Sequence, residues 1–552
     1  MIYTLSVDSF NNTFSVKADG SRLTHHSGIK FQLFPFIANN NSDPVVDLSS
    51  LIGLYLGQIE GKKPIQISAE ELIAKLKNDE DLEISLGADE IFDQVVRHMF
   101  EEFREIKKEM ELVYLHDQRP WMIGYSGGKD STLLCQLVFE MLESLPEENR
   151  SKPVYIVTSD TMVENPIVKA YMHRMNRAIN DASNRKKLNI QAHMIYPETR
   201  QTFWSLVIGL GYPTPEPPGF RWCTERLKIN PSNAFTYNTI KRDGEIVILL
   251  GVRKAESAAR SRSISSREIE GKLLTPHPHI QKAYVYSPLA EIPNEDVWAY
   301  LLKDNGKSAW NTDNNYLYSL YQGENLSEED SVVGQVNKDN MKVTGNSRFG
   351  CWICTMVKED KSLKNFIDHG ATELIPLRDF RNWLVDLRSN PDARDYRRRN
   401  GNVYLMSNGE FGRGPFTMEA RKEILRRLLQ LEVDTGFDLI TIDELKVIDK
   451  MWEDEGDLSR RALVEIYEKI KGKKLPWDSY KKAKYDNETI ALIQDLCQKY
   501  DVPFDLISKL MISVDNTKFY TRSAISAKSV ERVLNEGWLH FETIREGLKD
   551  AN

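Results

Sequence analysis

Residues 121–132 read WMIGYSGGKDST. An apolar run ends in a serine, two adjacent glycines, a lysine and an aspartate. Ser131 and Thr132 then open STLLCQLVFEMLESL, a stretch with helical spacing. A buried strand that turns through glycine into a helix offers an anion bare backbone N–H groups and the positive end of the helix. Glycine is needed because a Cβ would block the close approach of backbone to ligand. The stretch fails the nucleotide-hydrolase pattern G-x-x-x-x-G-K-[ST], since Asp130 follows Lys129 where Ser or Thr should stand. Ser126, Gly127, Gly128, Lys129, Asp130, Ser131 and Thr132 are therefore candidate phosphate contacts of another kind. The plain alternative is a glycine turn whose helix is capped by Asp130 or Ser131.

Outward from this loop, strand-like and helix-like segments alternate: WMIGY, the helix after it, PVYIVTSD, NPIVKAYMHRMNRAI, IQAHMIY and EIVILLGV. Such alternation predicts an α/β fold, a doubly wound, mostly parallel sheet covered by helices, with its ligand beyond the carboxyl ends of the strands. Residues 1–90 show short alternating runs (YTLSV, TFSVKA, PIQIS) and read as a small β-rich N-terminal domain. A helical stripe of Ile91, Val95, Met99, Phe103 and Ile106 leads into a nucleotide-binding α/β domain over 91–308. Residues 309–430 carry a polar loop, a cysteine pair and an arginine-rich segment. Residues 431–552 show helical periodicity in LVEIYEKI, IALIQDLC and VERVLNEGW, and read as a helical C-terminal domain.

Composition narrows the function classes. With 552 residues, 41% hydrophobic and 28% charged, the chain has apolar material for several cores, and wholesale disorder is excluded. A formal charge of −8 argues against non-specific coating of nucleic acid but leaves room for a local basic face. The sequence contains no apolar run long enough to span a bilayer, and MIYTLSVDSF lacks the features of a signal peptide, so a cytoplasmic location with no membrane partner is expected. Five cysteines in such a setting suit metal or redox use better than a disulfide framework.

Cys351 and Cys354 form C-W-I-C, and Cys223 lies in FRWCTERLK. Cys135 and Cys497 fall within apolar helical stretches and read as packing residues. Three thiolates are awkward for structural zinc but match a cubane iron–sulfur cluster with one open iron. Redox or persulfide chemistry, and zinc or no metal, stay open on these residues alone. The pair His277 and His279, in TPHPHI, reads as a loop contact.

SGGKDS resembles the pyrophosphate loop of the adenine-nucleotide α-hydrolase superfamily, which includes ATP pyrophosphatases, tRNA thiolation enzymes and phosphoadenylyl-sulfate reductases. The resemblance implies ATP, with Mg2+, held so that attack falls on the α phosphate and pyrophosphate leaves. VTSDTMVENP is similar to the reductase-type segment in which an acidic residue faces the nucleotide, here Asp160. GVRKAESAAR is similar to a family segment G-x-R-x-x-E-S-x-x-R, implying Gly251 and Arg253 at the nucleotide, and Glu256 and Arg260 as further contacts. Lys129, Asp130 and Arg253 would then be the catalytic set. For Glu256 and Arg260 a surface helix with internal charge pairs is the alternative.

FGCWICTMVKEDKSLKNFIDHG, LRDFRNWLVDLRSNPDARDYRRRNG and FGRGPFTMEARKEILRRLLQ resemble, in order and spacing, the DndC-type sulfurtransferases of DNA phosphorothioation, and TFWSLVIGLGYPTP and RWCTERLKINP are similar to the same family. The likeness covers residues 101–510. It implies a [4Fe-4S] cluster on Cys223, Cys351 and Cys354, although adenylyl-sulfate reductases carry paired cysteines where Trp222 stands here. It also implies DNA as substrate, a cysteine desulfurase as sulfur donor, and the system's other ATPase and DNA-binding subunits as partners. Between residues 376 and 430 twelve Lys and Arg stand against seven Asp and Glu, a local charge of +5. Arg394, Arg397, Arg398 and Arg399 are the densest part and could meet DNA phosphates, or simply form a solvated face. The rivals to DNA sulfur transfer are a sulfonucleotide reductase, whose usual tail cysteine GLKDAN lacks, a tRNA thiolation enzyme, and a nucleotide-gated DNA-binding subunit without turnover.

Overall fold

The structure, a computed structural model, describes residues 3–8, 13–18, 21–25 and 87–536 apart from 218–220, 257, 270–271, 323–349, 405, 407–410, 481–483 and 518–522, together with Trp538. The strand expected at PIQIS lies outside the described residues, as does most of the polar loop before Cys351. The described residues begin with β1 (Tyr3–Asp8), β2 (Thr13–Ala18) and β3 (Ser21–His25), an antiparallel sheet in that order, with Leu5 opposite Val16 and Val16 opposite Leu23.

From residue 87 the elements are α1 (Gly87–Leu115), β4 (Trp121–Gly124), α2 (Lys129–Ser144), β5 (Val154–Ser159), α3 (Pro166–Arg185), β6 (Ile190–Ile195), α4 (Asn230–Asp243), β7 (Ile246–Leu249), β8 (Thr275–Pro276), β9 (Ala283–Tyr286), α5 (Asn294–Gly306) and α6 (Asn314–Gln322). β4 to β9 build a six-stranded sheet in the order β6-β5-β4-β7-β9-β8. β5 and β7 pair in parallel with β4, and β9 in parallel with β7. Only the two-residue β8 is shown to run antiparallel, against β9. This is the α/β arrangement expected from the alternation of segments.

The strands form because their apolar residues run without interruption. Every residue of β7 is buried, as are Trp121, Met122 and Ile123 of β4 and five of the six residues of β5. Strands covered on both faces carry continuous apolar runs of this kind. α2 supplies one cover with Leu133, Leu134, Leu137, Val138 and Phe139, all fully buried. Phe103 of α1 packs at a tilt against Tyr300 of α5, ring centroids 4.3 Å apart, and Tyr114 of α1 meets Trp121 edge-on at 5.2 Å. The chain leaves β4 towards β5 and β6 on one side and returns to β7 and β9 on the other, so the direction of winding reverses at β4. Ligands of open parallel sheets collect at this point, beyond the carboxyl ends of the strands.

The chain divides into two compact units, one of residues 1–158, 170–194 and 235–349, the other of residues 159–169, 195–234 and 350–552. The first holds the sheet. The second is helical, with α7 (Lys361–Asp368), α8 (Ile375–Ser389), α9 (Met418–Thr435), α10 (Ile442–Glu455), α11 (Ala462–Lys471), α12 (Asn487–Lys499), α13 (Phe504–Thr517) and α14 (Ser523–Leu534). Its core is aromatic: Trp204, Trp352 and Trp452 are buried, and the indole N–H groups of Trp204 and Trp452 donate to the carbonyls of Leu439 and Ile208, each at 2.8 Å. No helix among the described residues is long and apolar enough to cross a membrane.

α9 shows how local signals and packing agree. Thr417 caps its first turn by accepting the Ala420 amide, and Gly436 ends it with φ of +73°. Ile424, Leu425, Leu428 and Leu429 are fully buried, as the spacing predicts. Arg421 is a charged residue on the buried face. It lies on the same stripe, one turn before Ile424 and Leu425, and its buried guanidinium donates to the carbonyls of Ile208 and Gly209 while pairing with Glu455 at 2.9 Å.

Leu428→Ala should destabilise the helical unit by about 2–5 kcal/mol, the usual cost of truncating a fully buried leucine. Arg426→Ala, on the exposed face of the same helix, should change it by less than about 0.5 kcal/mol. Urea unfolding followed by tryptophan fluorescence checks both, and equal effects would contradict the assignment of the buried face.

Candidate functional site

The glycine loop sits at the winding reversal. Tyr125 continues β4 by donating its amide to Val157 at 2.9 Å, after which the chain turns at Gly127, whose φ is +73°. A Cβ at Gly127 would lie 3.3 Å from Met172 and 3.4 Å from Tyr171. α2 starts at Lys129 with Gly128 as its N-cap residue, so Asp130 and Ser131 lie inside the first turn. Its first intrahelical bond runs from the Thr132 amide to the Gly128 carbonyl at 2.9 Å, so the N–H groups of Lys129, Asp130 and Ser131 precede the ladder.

The hydroxyls expected to grip an anion are engaged within the loop. Ser131 and Thr132 both donate to the Gly128 carbonyl at 2.9 Å, and Ser131 accepts the Ser126 amide at 3.2 Å. They hold the turn rigid, which presents the backbone donors in fixed directions.

The second wall comes from the loop after β7. Gly251 passes so close to the first turn of α2 that a Cβ on it would lie 2.9 Å from the Asp130 carbonyl oxygen. Arg253, 2% exposed, donates Nε to the Asp130 carboxylate at 2.6 Å and a second N–H to the Ile292 carbonyl at 3.2 Å. The other Asp130 oxygen meets Lys129 Nζ at 3.0 Å. Lys129, Asp130, Gly251 and Arg253 thus form one connected group, with Asp130 between the two cations. Geometrically, Asp130 orients Lys129 and Arg253. The side chains of Glu256 and Arg260 lie outside the described residues. Two residues not singled out from the sequence join this group: Tyr171, which packs under Gly127, and Tyr321, whose hydroxyl accepts the Lys129 amide at 3.2 Å.

In the second unit, Asp160 is fully buried and accepts the Met162 amide at 2.7 Å. The same segment carries Thr161 and Glu164. Backbone pairing of Glu164 with Cys351, and the Trp352 amide donating to Val163 at 3.1 Å, tie this segment to the C-W-I-C turn. The Cys354 amide donates to the Cys351 carbonyl at 3.0 Å and closes that turn. Thr161 Oγ1 lies 3.5 Å from Cys351 Sγ and donates to Glu164 at 2.9 Å. Glu164 also pairs with Lys228 Nζ at 3.8 Å.

Burial first and Cys354 second push the Cys223 thiol up, while burial and then Glu164 push Cys351 up to about 12. Lys228 is held protonated, first by Glu164 and then by the three thiols. Arg381 was not anticipated from the sequence either. Buried, it clamps the turn by donating to the carbonyls of Cys354 at 2.9 Å and Lys358 at 3.1 Å.

The donor set bears on what these thiols could hold. Among the described residues no group of three or more His, Cys, Asp or Glu is placed to hold a metal ion. Cys351 and Cys354 are two soft donors on one closed turn, with Lys228 held nearby through Glu164. Cys135 and Cys497 are buried in helices, as their apolar settings predict. His277 accepts the amides of His279 and Ile280 at 3.2 and 3.0 Å, a loop contact as expected.

The arginine run splits by burial. Arg394 donates to the carbonyls of Gly414 and Arg388 at 2.7 and 3.0 Å, and burial lowers it to about 10. Arg397 is buried, paired with Asp395 at 2.9 Å and stacked 3.8 Å from Trp538. Arg398 and Arg399 are exposed, the first over Tyr404 at 3.9 Å, the second paired with Glu455 at 2.7 Å.

The Gly251 contact can be tested directly. Gly251→Ala should destabilise the sheet unit by about 1–3 kcal/mol, because its neighbour is backbone that cannot rotate away. Gly124→Ala, where no atom lies within 4 Å of the added Cβ, should stay within about 0.5 kcal/mol of the parent. Thermal unfolding of both variants would refute the close approach if they behaved alike.

No protein-family model matches this chain, and no curated protein matches it. Among solved structures, the U34-tRNA thiolase NcsA from Methanococcus maripaludis with its [4Fe-4S] cluster is similar over 43% of this chain and 82% of its own, at 14% identity and a TM-score of 0.24. A superposition that loose transfers neither activity nor ligand to this chain.

Proposed function

We propose that this chain is an ATP-dependent sulfurtransferase that replaces an oxygen of a DNA backbone phosphate by sulfur. The observation that carries the sulfur chemistry is the C-W-I-C turn, paired through Cys351 with the backbone of Glu164, whose carboxylate in turn pairs with Lys228. Two thiols on a fixed turn with an ammonium tied to the same segment suit the holding of anionic sulfur. The nucleotide half rests on the glycine-led start of α2 and on the Lys129–Asp130–Arg253 chain. The motifs that resemble DNA phosphorothioation sulfurtransferases favour DNA over the other acceptors.

In this reading the loop amides and Lys129 hold the β and γ phosphates of ATP with its Mg2+. A non-bridging oxygen of the DNA phosphate attacks the α phosphorus, and the bond to pyrophosphate breaks. The amides and Lys129 stabilise the charge that collects on the departing pyrophosphate. Arg253, fixed by Asp130 and the Ile292 carbonyl, keeps Asp130 from neutralising Lys129 outright. Anionic sulfur then attacks the activated DNA phosphorus, and AMP departs with the former oxygen. Adenylylation is required because an unactivated phosphate oxygen is a very poor leaving group.

Cys223, Cys351 and Cys354 would hold a [4Fe-4S] cluster, which supplies an open iron for a sulfur ligand. Thr161 and Arg381 fix the positions of Cys351 and Cys354, and Lys228 offsets the negative charge of the thiolates. A cysteine desulfurase is the proposed sulfur source. Arg398 and Arg399 are the members of the arginine run exposed enough to meet a DNA phosphate.

With DNA and sulfide, wild-type protein should convert α-labelled ATP to AMP and pyrophosphate, and Lys129→Ala should lower that rate by about 100-fold or more. Formation of ADP and orthophosphate instead would end the nucleotide assignment. Reconstituted Cys223→Ser should lose bound iron and sulfur incorporation, scored by metal analysis and by mass spectrometry of nuclease-digested DNA. Full iron content in that variant would remove Cys223 from the ligand set, and sulfur appearing in tRNA rather than DNA would reassign the acceptor.

A further inference from the structure

The amide that the glycine loop would offer first to a phosphate already has an acceptor. Tyr321, in the last turn of α6, places its hydroxyl 3.2 Å from the Lys129 nitrogen and accepts that N–H. The same oxygen stands where a side chain on Gly128 would begin, 2.9 Å from the ideal Cβ position. Lys129 Nζ lies 5.8 Å from the Tyr321 ring centroid, within reach of its negative face. Trp298, itself buried, braces the ring edge-on at 5.1 Å.

We propose that Tyr321 is a built-in plug of the loop, which a phosphate-bearing ligand must displace to bind. This rests on the reading of the loop as a phosphate site. A backbone amide has one proton, and a phosphate oxygen cannot share it at full strength with the phenol. The space beside Gly128 is narrowed as well, since the phenol oxygen borders the volume that glycine leaves open. Tyr321 supplies an acceptor for the helix start and an electron-rich face for Lys129, two of the things an anion would supply. Displacement therefore costs the ligand both contacts, and apparent affinity falls by the fraction of molecules in which the loop is open. A polyanion that engages several amides and Lys129 together can offset that loss, whereas a singly charged anion gains too few contacts. The plug thus selects for the diphosphate end of a nucleotide.

The test uses the full-length protein and inorganic pyrophosphate with Mg2+ as the probe, titrated by calorimetry. Tyr321→Phe keeps the ring but removes the acceptor, and should bind pyrophosphate about 2- to 10-fold more tightly, the worth of one neutral hydrogen bond. Weaker or unchanged binding by Tyr321→Phe, with wild type binding normally, overturns the plug and leaves the loop assignment standing. Binding by neither protein overturns the loop assignment itself, and the plug with it. A second measurement needs no variant: pyrophosphate should raise the nitration of Tyr321 by tetranitromethane, read by peptide mass spectrometry, because the phenol is released from Gly128. Protection of Tyr321 by pyrophosphate would show that the hydroxyl stays and joins the ligand, and would overturn the proposal.

Discussion

The approach of two glycine-bearing loops, one after β4 and one after β7, is the constraint on which the sheet unit's site depends. Gly251 lies against the carbonyl of Asp130, and this brings Arg253 within 2.6 Å of the Asp130 carboxylate. An almost fully buried guanidinium is tolerable only because its donors are used by that carboxylate and the Ile292 carbonyl. Removing one partner of such a pair leaves a buried charge without compensation, typically at about 3–5 kcal/mol. The arrangement adds little net stability over an apolar pair of the same volume. What it does is lock the register of the two loops, and with it the direction of Lys129.

The second unit fixes the C-W-I-C turn through its backbone carbonyls and amides. Backbone pairing of Glu164 with Cys351 fixes one side, and Arg381 fixes the other through the carbonyls of Cys354 and its neighbours. Arg388 and Thr355 both bond the Pro215 carbonyl, tying the turn to the segment that leads to Cys223. Arginine serves here as a buried multi-donor clamp for carbonyl groups, a use for which its rigid fork is better suited than lysine. The basic count of residues 376–430 is thus in large part internal scaffolding. Arg381, Arg388, Arg394, Arg397 and Arg421 all spend donors on this chain's own carbonyls or carboxylates.

Much of the fold was legible in the sequence because its signals are local. The apolar runs of β4, β5 and β7 are continuous, the helices between them have a clear stripe, and the double glycine stands where a strand must turn into a helix. Thr417 and Gly436 mark the ends of α9 by their own conformational preferences. The break from the Walker pattern at Asp130 was visible as a single residue, and its use as the bridge between Lys129 and Arg253 follows from that position.

Composition, periodicity and local motif by themselves determined the class of fold and pointed to the glycine loop and to Cys223, Cys351 and Cys354 as candidates. Which distant residues meet was decided only by tertiary structure. Tyr321 lies 192 residues from Lys129, and neither carries a local pattern that names the other. Glu164 comes beside Cys351 through one backbone pairing and brings Lys228 with it, and Arg421 is turned inward although it carries a charge. The physical reason is the same in each case. Periodicity records whether a position faces water, whereas a buried charge or hydroxyl is chosen to fit a partner brought by another segment, and that choice leaves no mark on its own neighbours in the chain.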